Sequence, residues 1–110
     1  MLNQVILVGK LVSNPKLKKL KDSRSQTVIY LEIKRNTGNS IDGEADSNTI
    51  PCILWNGIAE QTVEHCKKGS TIGVKARLVD KEAMLENGEL LIYTEVIAEK
   101  ITFINAKSDE

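Results

Sequence analysis

Residues 49–69 read TIPCILWNGIAEQTVEHCKKG, and along them the spacing of apolar residues changes from that of a β-strand to that of an α-helix. As far as Trp55 the segment is a short apolar run, and Pro51 indicates a point where the strand needs no backbone N–H for pairing. Beyond it the apolar side chains repeat at helical spacing, at Ile58, Ala59, Thr62, Val63 and Cys66. We therefore predict a strand over residues 49–55 and then a short amphipathic helix, capped by Asn56 or Gly57 and ended by Lys67, Lys68 and Gly69.

Two segments before this stretch also predict strands. Residues 3–12 are apolar on both alternations, which predicts a strand buried on both faces, and Gly9 within it indicates a bend or a close backbone approach. Residues 27–35 alternate, so one face belongs to the core and the outer face carries Tyr30 and Lys34. Residues 36–48 have no periodicity, and a connection of that length predicts a functional or mobile loop.

Two further strands follow the predicted helix. In residues 71–81 we expect Ile72, Val74, Ala76 and Leu78 to face inward and Lys75, Arg77, Val79 and Lys81 to face outward. The Asn87-Gly88 pair predicts a hairpin turn, and residues 90–103 form a long last strand. We expect one domain over residues 1–104, with a frayed end at residues 105–110.

The composition of the 110-residue chain predicts one small aliphatic core. Hydrophobic residues make up 41% and aromatic residues only 4%, which favours a β-rich core of Val, Ile and Leu. No apolar run is long enough for a membrane span or a signal peptide, so we expect a soluble intracellular protein. Cys52, Cys66 and the single His65 lack the spacing of a metal site. We therefore predict no cofactor and expect both cysteines to be small core or half-buried residues.

Positive charge is concentrated in the first third of the chain. The formal net charge is zero, but residues 1–35 carry eight Lys or Arg against two acidic residues, a balance of +6, and the remainder balances at −6. In a small domain this asymmetry fits a surface that binds a polyanion, and it also fits an ordinary solvated face.

The predicted elements are five strands with one helix between the third and the fourth. This order matches the five-stranded Greek-key barrel called the OB-fold, so the predicted class is all-β with one short helix. OB-folds bind oligonucleotides across their second and third strands. That face would carry Tyr30, Lys34, Ile53 and Trp55, framed by the basic first loop and by the row Lys75, Arg77 and Lys81. Single-stranded nucleic acid requires such cations for its phosphates and such rings for its bases.

Several short motifs resemble those of the bacterial single-stranded DNA-binding protein (SSB) family. They are residues 1–11 with Asn14-Pro15, residues 43–46, residues 50–55 with Ala59-Glu60, residues 67–70, and residues 93–96 with Ile101. The resemblance runs in order through nearly the whole chain. It implies an OB-fold that assembles as a homotetramer or a dimer in the cytoplasm, associated with the nucleoid. It also implies binding of single-stranded DNA without sequence preference, in replication, repair or recombination, and no catalysis.

The resemblance also implies which residues contact DNA. Trp55 stands where the family has an aromatic residue that contacts bases, and Lys10 and Arg77 stand at phosphate contacts, with Lys34, Arg35, Lys75 and Lys81 as further candidates. Charge and alternation add Tyr30 and the first-loop residues Lys16, Lys18, Lys19 and Lys21. Alternatives stay open for three of these: a core position for Trp55, a subunit interface for Tyr30, and an ion pair with Glu95 or Glu99 for Arg77.

The chain departs from the family pattern at three places. Thr49 and Ala83 replace two expected stacking rings, and residues 36–40 lack the aromatic and basic residues often found there. These losses predict binding that depends more on charge and is sensitive to salt. The family's long chains continue into a flexible tail that recruits enzymes. Because this sequence stops at Glu110, we expect a truncated or naturally short form that does not recruit repair enzymes and has a full-length paralogue among its partners.

Two functions remain open from the sequence. The first is single-stranded DNA binding, which Trp55, the basic first third and the family motifs favour. The second is an OB-fold assembly or primosome-type adaptor that acts through protein partners, which the absent rings at Thr49 and Ala83 favour. We expect no enzyme, because a Gly-rich phosphate loop and a nucleophile motif are absent. The apolar first strand is expected to form a dimer edge, with Leu85 and Leu91 buried between protomers and no membrane partner.

Overall fold

The computed structural model describes residues 1–35 and 46–105. These described residues form six strands and one helix: β1 Val5–Leu11, β2 Lys18–Lys19, β3 Ser25–Lys34, β4 Ser47–Trp55, α1 Asn56–His65, β5 Thr71–Met84 and β6 Leu90–Asn105. The first ten residues of the predicted long loop, 36–45, lie outside the described residues, as do residues 106–110 of the predicted frayed end.

The strands form one sheet in the order β1-β5-β6-β4-β3-β2, and a further pairing of β1 with β3 closes its five long strands into a barrel. At the closure Lys10 lies opposite Glu32, and Leu11 lies opposite Leu31. The β4–β6 pairing is parallel, and the other strand pairs are antiparallel. The predicted OB-fold is thus confirmed, with the two-residue β2 added at the free edge of β3.

The core of the barrel is aliphatic, as the composition predicts. Leu31, Leu54 and Ile72 are fully buried, and both cysteines lie among them, free and in the core as expected. Burial raises the pKa of the Cys52 thiol to about 11. From the helix, Ala59 packs into this core. No helix within the described residues is long and apolar enough to span a bilayer.

The prediction that the first strand is buried on both faces is wrong for the single chain. Gly9 and Leu11 are buried, whereas Ile6 is 61% and Val8 55% exposed. A single barrel wall has only one side towards its own core, so the other apolar side of β1 is left open. The close approach predicted at Gly9 is confirmed, because a Cβ there would lie 2.5 Å from the carbonyl oxygen of Glu32.

The ends of the helix also differ from the prediction. Trp55 occupies the cap position of α1, and no side chain caps it. Asn56 has a φ of +54° and its side-chain oxygen accepts a hydrogen bond from the Ser25 backbone N–H at 3.2 Å, so it links the helix to β3 instead. The helix ends at His65, before the lysine pair. The positive φ of 93° at Gly69 therefore belongs to the turn that follows the helix.

The β5–β6 hairpin extends beyond the core. Pairing of β5 with β1 stops at Ala76, and beyond that residue β5 pairs with β6 alone. The predicted inward position of Leu78 is therefore wrong, since its side chain is 43% exposed. The predicted turn is confirmed, with a φ of +88° at Gly88. Leu85 and Leu91, expected to look exposed in one chain, are 40% and 45% exposed.

Candidate nucleic-acid interface

The outer face of β3 and β4 gathers the predicted base-contacting side chains. In an antiparallel pair, residues opposite each other project on the same side. Three such pairs follow one another here: Gln26 with Trp55, Val28 with Ile53, and Tyr30 with Pro51. The two predicted rings therefore lie on one face, and the Val28–Ile53 pair lies between them. Trp55 is half-buried on this face and is not among the core residues, so the core alternative for Trp55 is wrong.

An apolar groove of about 360 Å³ runs between this face and β6. Its walls are Val28, Ile50, Pro51 and Ile53 on one side and residues 93–96 on the other. Tyr93 is 42% exposed here, close to the 44% of Tyr30. Sequence reasoning quoted Tyr93 only as part of a family motif and missed it as a site residue. Thr49 and Ala83 do lack rings, but Tyr93 brings an aromatic side chain to the same groove.

A second groove shares Val28 with the first. It is lined by Ser13, Asn14, Lys16, Val28 and Tyr30. Asn14 is held in place because its side-chain oxygen accepts a hydrogen bond from the Lys68 backbone N–H at 2.7 Å. Tyr30 therefore lines a groove in which Lys16 supplies a positive charge beside the ring.

The structure separates the remaining lysines of the first loop. Lys18 lies opposite Gln26, which lies opposite Trp55, so these three residues form one row on the outer face. Lys19 lies opposite the buried Ser25 and points the other way, towards α1. Its Nζ is 4.0 Å from Glu60 Oε2. Lys21 is exposed in the turn between β2 and β3.

At the other end of the face, Lys10 and Lys34 line a shallow groove with Glu32 between them. The barrel closure places Lys10 opposite Glu32, and Glu32 in turn lies opposite Thr49. Two predicted phosphate contacts therefore share their end of the face with one carboxylate. The neighbouring Arg35 donates a hydrogen bond from Nε to Asn48 Oδ1 at 3.1 Å.

Two of the three predicted cations of β5 have acidic partners on β6. Arg77 Nη1 is 3.2 Å from Glu99 Oε2, so the ion-pair alternative for Arg77 is confirmed with Glu99 as its partner. Lys81 Nζ is 3.9 Å from Glu95 Oε1. Lys75 instead lies between Ile6 of β1 and Lys100 of β6. Exposed ion pairs contribute only about 0–1 kcal/mol, so a phosphate can compete for these cations.

The Trp55 ring is covered by a residue that sequence reasoning did not assign to the site. The guanidinium carbon of Arg24 lies 4.6 Å from the centroid of the indole ring. Arg24 Nε also donates a hydrogen bond to Asp22 Oδ2 at 2.8 Å, and the Arg24 backbone N–H donates to Asp22 Oδ1 at 3.2 Å. The backbone hydrogen bond is the largest of several contributions from Arg24 that lower the pKa of Asp22.

The single-strand binding protein family matches residues 2–104. This chain belongs to that family. It is 34% identical over 110 residues to "Single-stranded DNA-binding protein B" of Bacillus subtilis strain 168, a match that covers 100% of this chain and 96% of the relative. It is 33% identical over 108 residues to "Single-stranded DNA-binding protein A" of the same strain, covering 98% of this chain and 62% of that relative.

A third relative is "Single-stranded DNA-binding protein 2" of Listeria monocytogenes, 31% identical over 109 residues, with 99% of this chain and 68% of the relative covered. The chain thus spans nearly the full length of one SSB relative and about two thirds or less of the others. Membership of the SSB family confirms the resemblance, agrees with the expectation of a non-enzymatic protein, and does not favour the adaptor alternative.

Proposed function

We propose that this protein binds single-stranded DNA without sequence preference, across the outer face of β3 and β4. The observation that carries the proposal is the set of Trp55, Tyr30 and the apolar groove on one face, with Lys16 and Lys18 beside the rings. Stacking of one base on an aromatic side chain is worth about 1–3 kcal/mol and does not discriminate among bases.

The proposed DNA path follows β4 from Trp55 to Ser47. Nine residues of extended chain cover roughly 26 Å, which suits the smaller site sizes of OB-folds, about 4 nucleotides and upward. Lys16 and Lys18 would hold phosphates beside Tyr30 and Trp55, and Lys10 and Lys34 would hold them at the far end. Arg77 and Lys81 would join after exchanging Glu99 and Glu95 for phosphate. Charge contacts of this kind make the affinity fall with salt.

An oligomer, a dimer or a homotetramer, is part of the proposal. Its support is the open apolar side of β1, where Ile6, Val8 and the neighbouring Ile104 of β6 are each more than half exposed around Gly73. A charge at the centre of this side, as in Val8→Glu, should shift the particle towards a monomer. Light scattering coupled to size exclusion measures this, and a wild-type protein that is already monomeric would contradict it.

The proposed setting is the single-stranded DNA exposed in replication, repair or recombination of a bacterial chromosome. A full-length paralogue that binds the same strands is a proposed partner. Mixing the two proteins and measuring light scattering distinguishes a mixed particle from two separate ones.

The test of DNA binding is fluorescence anisotropy of labelled oligo-dT at increasing length and at several salt concentrations, with a duplex of equal length as control. We expect binding that strengthens with length, weakens with salt and prefers the single strand. Tyr30→Ala should cost about 1–3 kcal/mol of binding free energy. Equal affinity for duplex and single strand, or no binding at low salt, would contradict the proposal.

A further inference from the structure

Arg24 and Trp55 form a contact that has no role in the barrel's core. The guanidinium lies over the indole ring, and both Arg24 and its partner Asp22 are about half exposed, with side-chain exposures of 52% and 57%. The contact with Trp55 and the hydrogen bond to Asp22 are therefore at the surface. Both can break without a change in the barrel.

The chain direction places Arg24 on the proposed DNA face. Ser25 and Thr27 are buried, whereas Val28 and Tyr30 are exposed, so even-numbered side chains of β3 project outward. Arg24 precedes the strand by one residue and continues that outward row. In the free protein, the Arg24 guanidinium thus lies over the ring of the only tryptophan.

A nucleobase and the Arg24 guanidinium compete for the same ring. An exposed cation–π contact is weaker than base–aromatic stacking, so a base can displace the guanidinium. The displaced guanidinium stays within reach of the stacked nucleotide. A guanidinium has the fork of donors that suits phosphate oxygens.

We propose that Arg24 is a further single-stranded DNA contact, one that covers Trp55 in the free protein and moves to a phosphate when a base stacks on the ring. Asp22 is the positioning residue, because its carboxylate holds the guanidinium over the ring until DNA arrives. The inference rests on the proposed function. It adds Arg24 to the DNA contacts and adds one step, in which the guanidinium leaves the Trp55 ring for a phosphate.

The contact of Arg24 with the Trp55 ring in the free protein is tested without DNA. Acrylamide quenching of Trp55 fluorescence reports how accessible the indole ring is. Arg24→Gln should raise the quenching constant, since the ring face that the guanidinium covers is then open to the quencher. Asp22→Asn should also raise the quenching constant, because the carboxylate no longer holds the guanidinium over the ring. An unchanged constant in both variants would overturn the proposal.

The movement of the Arg24 guanidinium from Trp55 to a phosphate, called the exchange below, is tested by oligo-dT binding of the same variants. Arg24→Gln should reduce the slope of log affinity against log salt by about 0.7, the loss of one phosphate contact on a single strand, whereas Arg24→Lys should keep the slope. Asp22→Asn should bind up to about fivefold more tightly at low salt. Glu64→Gln on the helix, a matched loss of one negative charge, should bind like wild type.

The outcomes separate the inference from the proposed function. If wild type binds oligo-dT and Arg24→Gln keeps the wild-type slope, the exchange is overturned while the proposed function stands. If wild type does not bind at all, the proposed function and the exchange fall together. Circular dichroism of each variant checks folding, and Asp22→Asn carries the test if Arg24→Gln does not fold.

Discussion

Lys18 and Trp55 lie in one row on the outer face of the barrel, on either side of Gln26. The two-residue strand β2 creates this relationship, because its pairing with β3 fixes which way each lysine projects. The adjacent Lys19 projects to the opposite side, where its Nζ is 4.0 Å from Glu60. Two identical side chains, one residue apart, therefore have different expected roles.

Replacement of these two lysines should give different salt dependences. Lys18→Gln removes a cation beside the stacking ring, so the slope of log affinity for oligo-dT against log salt should fall by about 0.7. Lys19→Gln removes a cation that faces the helix, so the slope should stay near the wild-type value. Anisotropy titrations at four or more salt concentrations measure both slopes. Equal slopes in the two variants would contradict the assigned faces.

Neutralising Glu32 should strengthen DNA binding. Its carboxylate lies opposite Lys10 and Thr49 on the proposed path, where it repels phosphates. Glu32→Gln keeps an oxygen that can accept the 3.2 Å hydrogen bond from Ser47 Oγ. We expect about two- to fivefold tighter binding at low salt, a gain that high salt removes. A gain that persists at high salt would point to a change of structure in place of a charge effect.

Removing an unpaired buried hydroxyl should stabilise the fold. Thr62 is fully buried in α1, and its Oγ1 has no hydrogen-bond partner. Thr62→Val replaces the hydroxyl with a methyl group of similar size, so the free energy of unfolding should rise by about 1 kcal/mol. Urea denaturation measures this free energy of unfolding for the wild type and the variant. Thr62→Ser is the control, since it keeps the hydroxyl and loses the methyl group, and it should lower the stability instead.

Two glycines should respond in opposite directions to replacement by alanine. At Gly9 a Cβ would lie 2.5 Å from the Glu32 carbonyl oxygen and 3.0 Å from Ile33 Cγ1, so Gly9→Ala should destabilise the barrel closure by about 1–3 kcal/mol. At Gly57, near the start of α1, a Cβ meets nothing within 4 Å. Gly57→Ala should stabilise the protein by up to about 1 kcal/mol. Thermal unfolding of both variants tests the contrast, and a neutral Gly9→Ala would contradict the close approach.

The sequence predicted the strands well because a half-buried strand alternates with period two. The outer face of Tyr30 followed from that alternation, whereas Trp55 was assigned to the same face with the help of the OB-fold order and the resemblance to the SSB family. The open side of β1 could not be predicted, because apolar residues such as Ile6 look alike whether a core or another chain covers them. The exposure of Leu78 could not be predicted either, because it depends on the pairing of β5 with β1 ending at Ala76. The spacing of residues does not show where that pairing ends.

The missed site residues depend on local backbone geometry. Arg24 reaches Trp55 through the turn after β2, where Ser23 has a φ of +75°, and no hydrophobic period marks that turn. Tyr93 reaches the apolar groove because it lies opposite Lys81 in the hairpin, after a register shift near Ala76. Neither contact follows from the spacing of residues along the chain.

In the proposed complex, bases stack on the outer face of β3 and β4, and Trp55 fluorescence reports this stacking. Since Trp55 is the only tryptophan, a titration with oligo-dT reports on that single ring. We predict quenching that saturates at the same DNA concentration as the anisotropy of labelled oligo-dT and that weakens in parallel with it at higher salt. Anisotropy that rises while Trp55 fluorescence stays unchanged would show that DNA binds elsewhere and would contradict base stacking on this face.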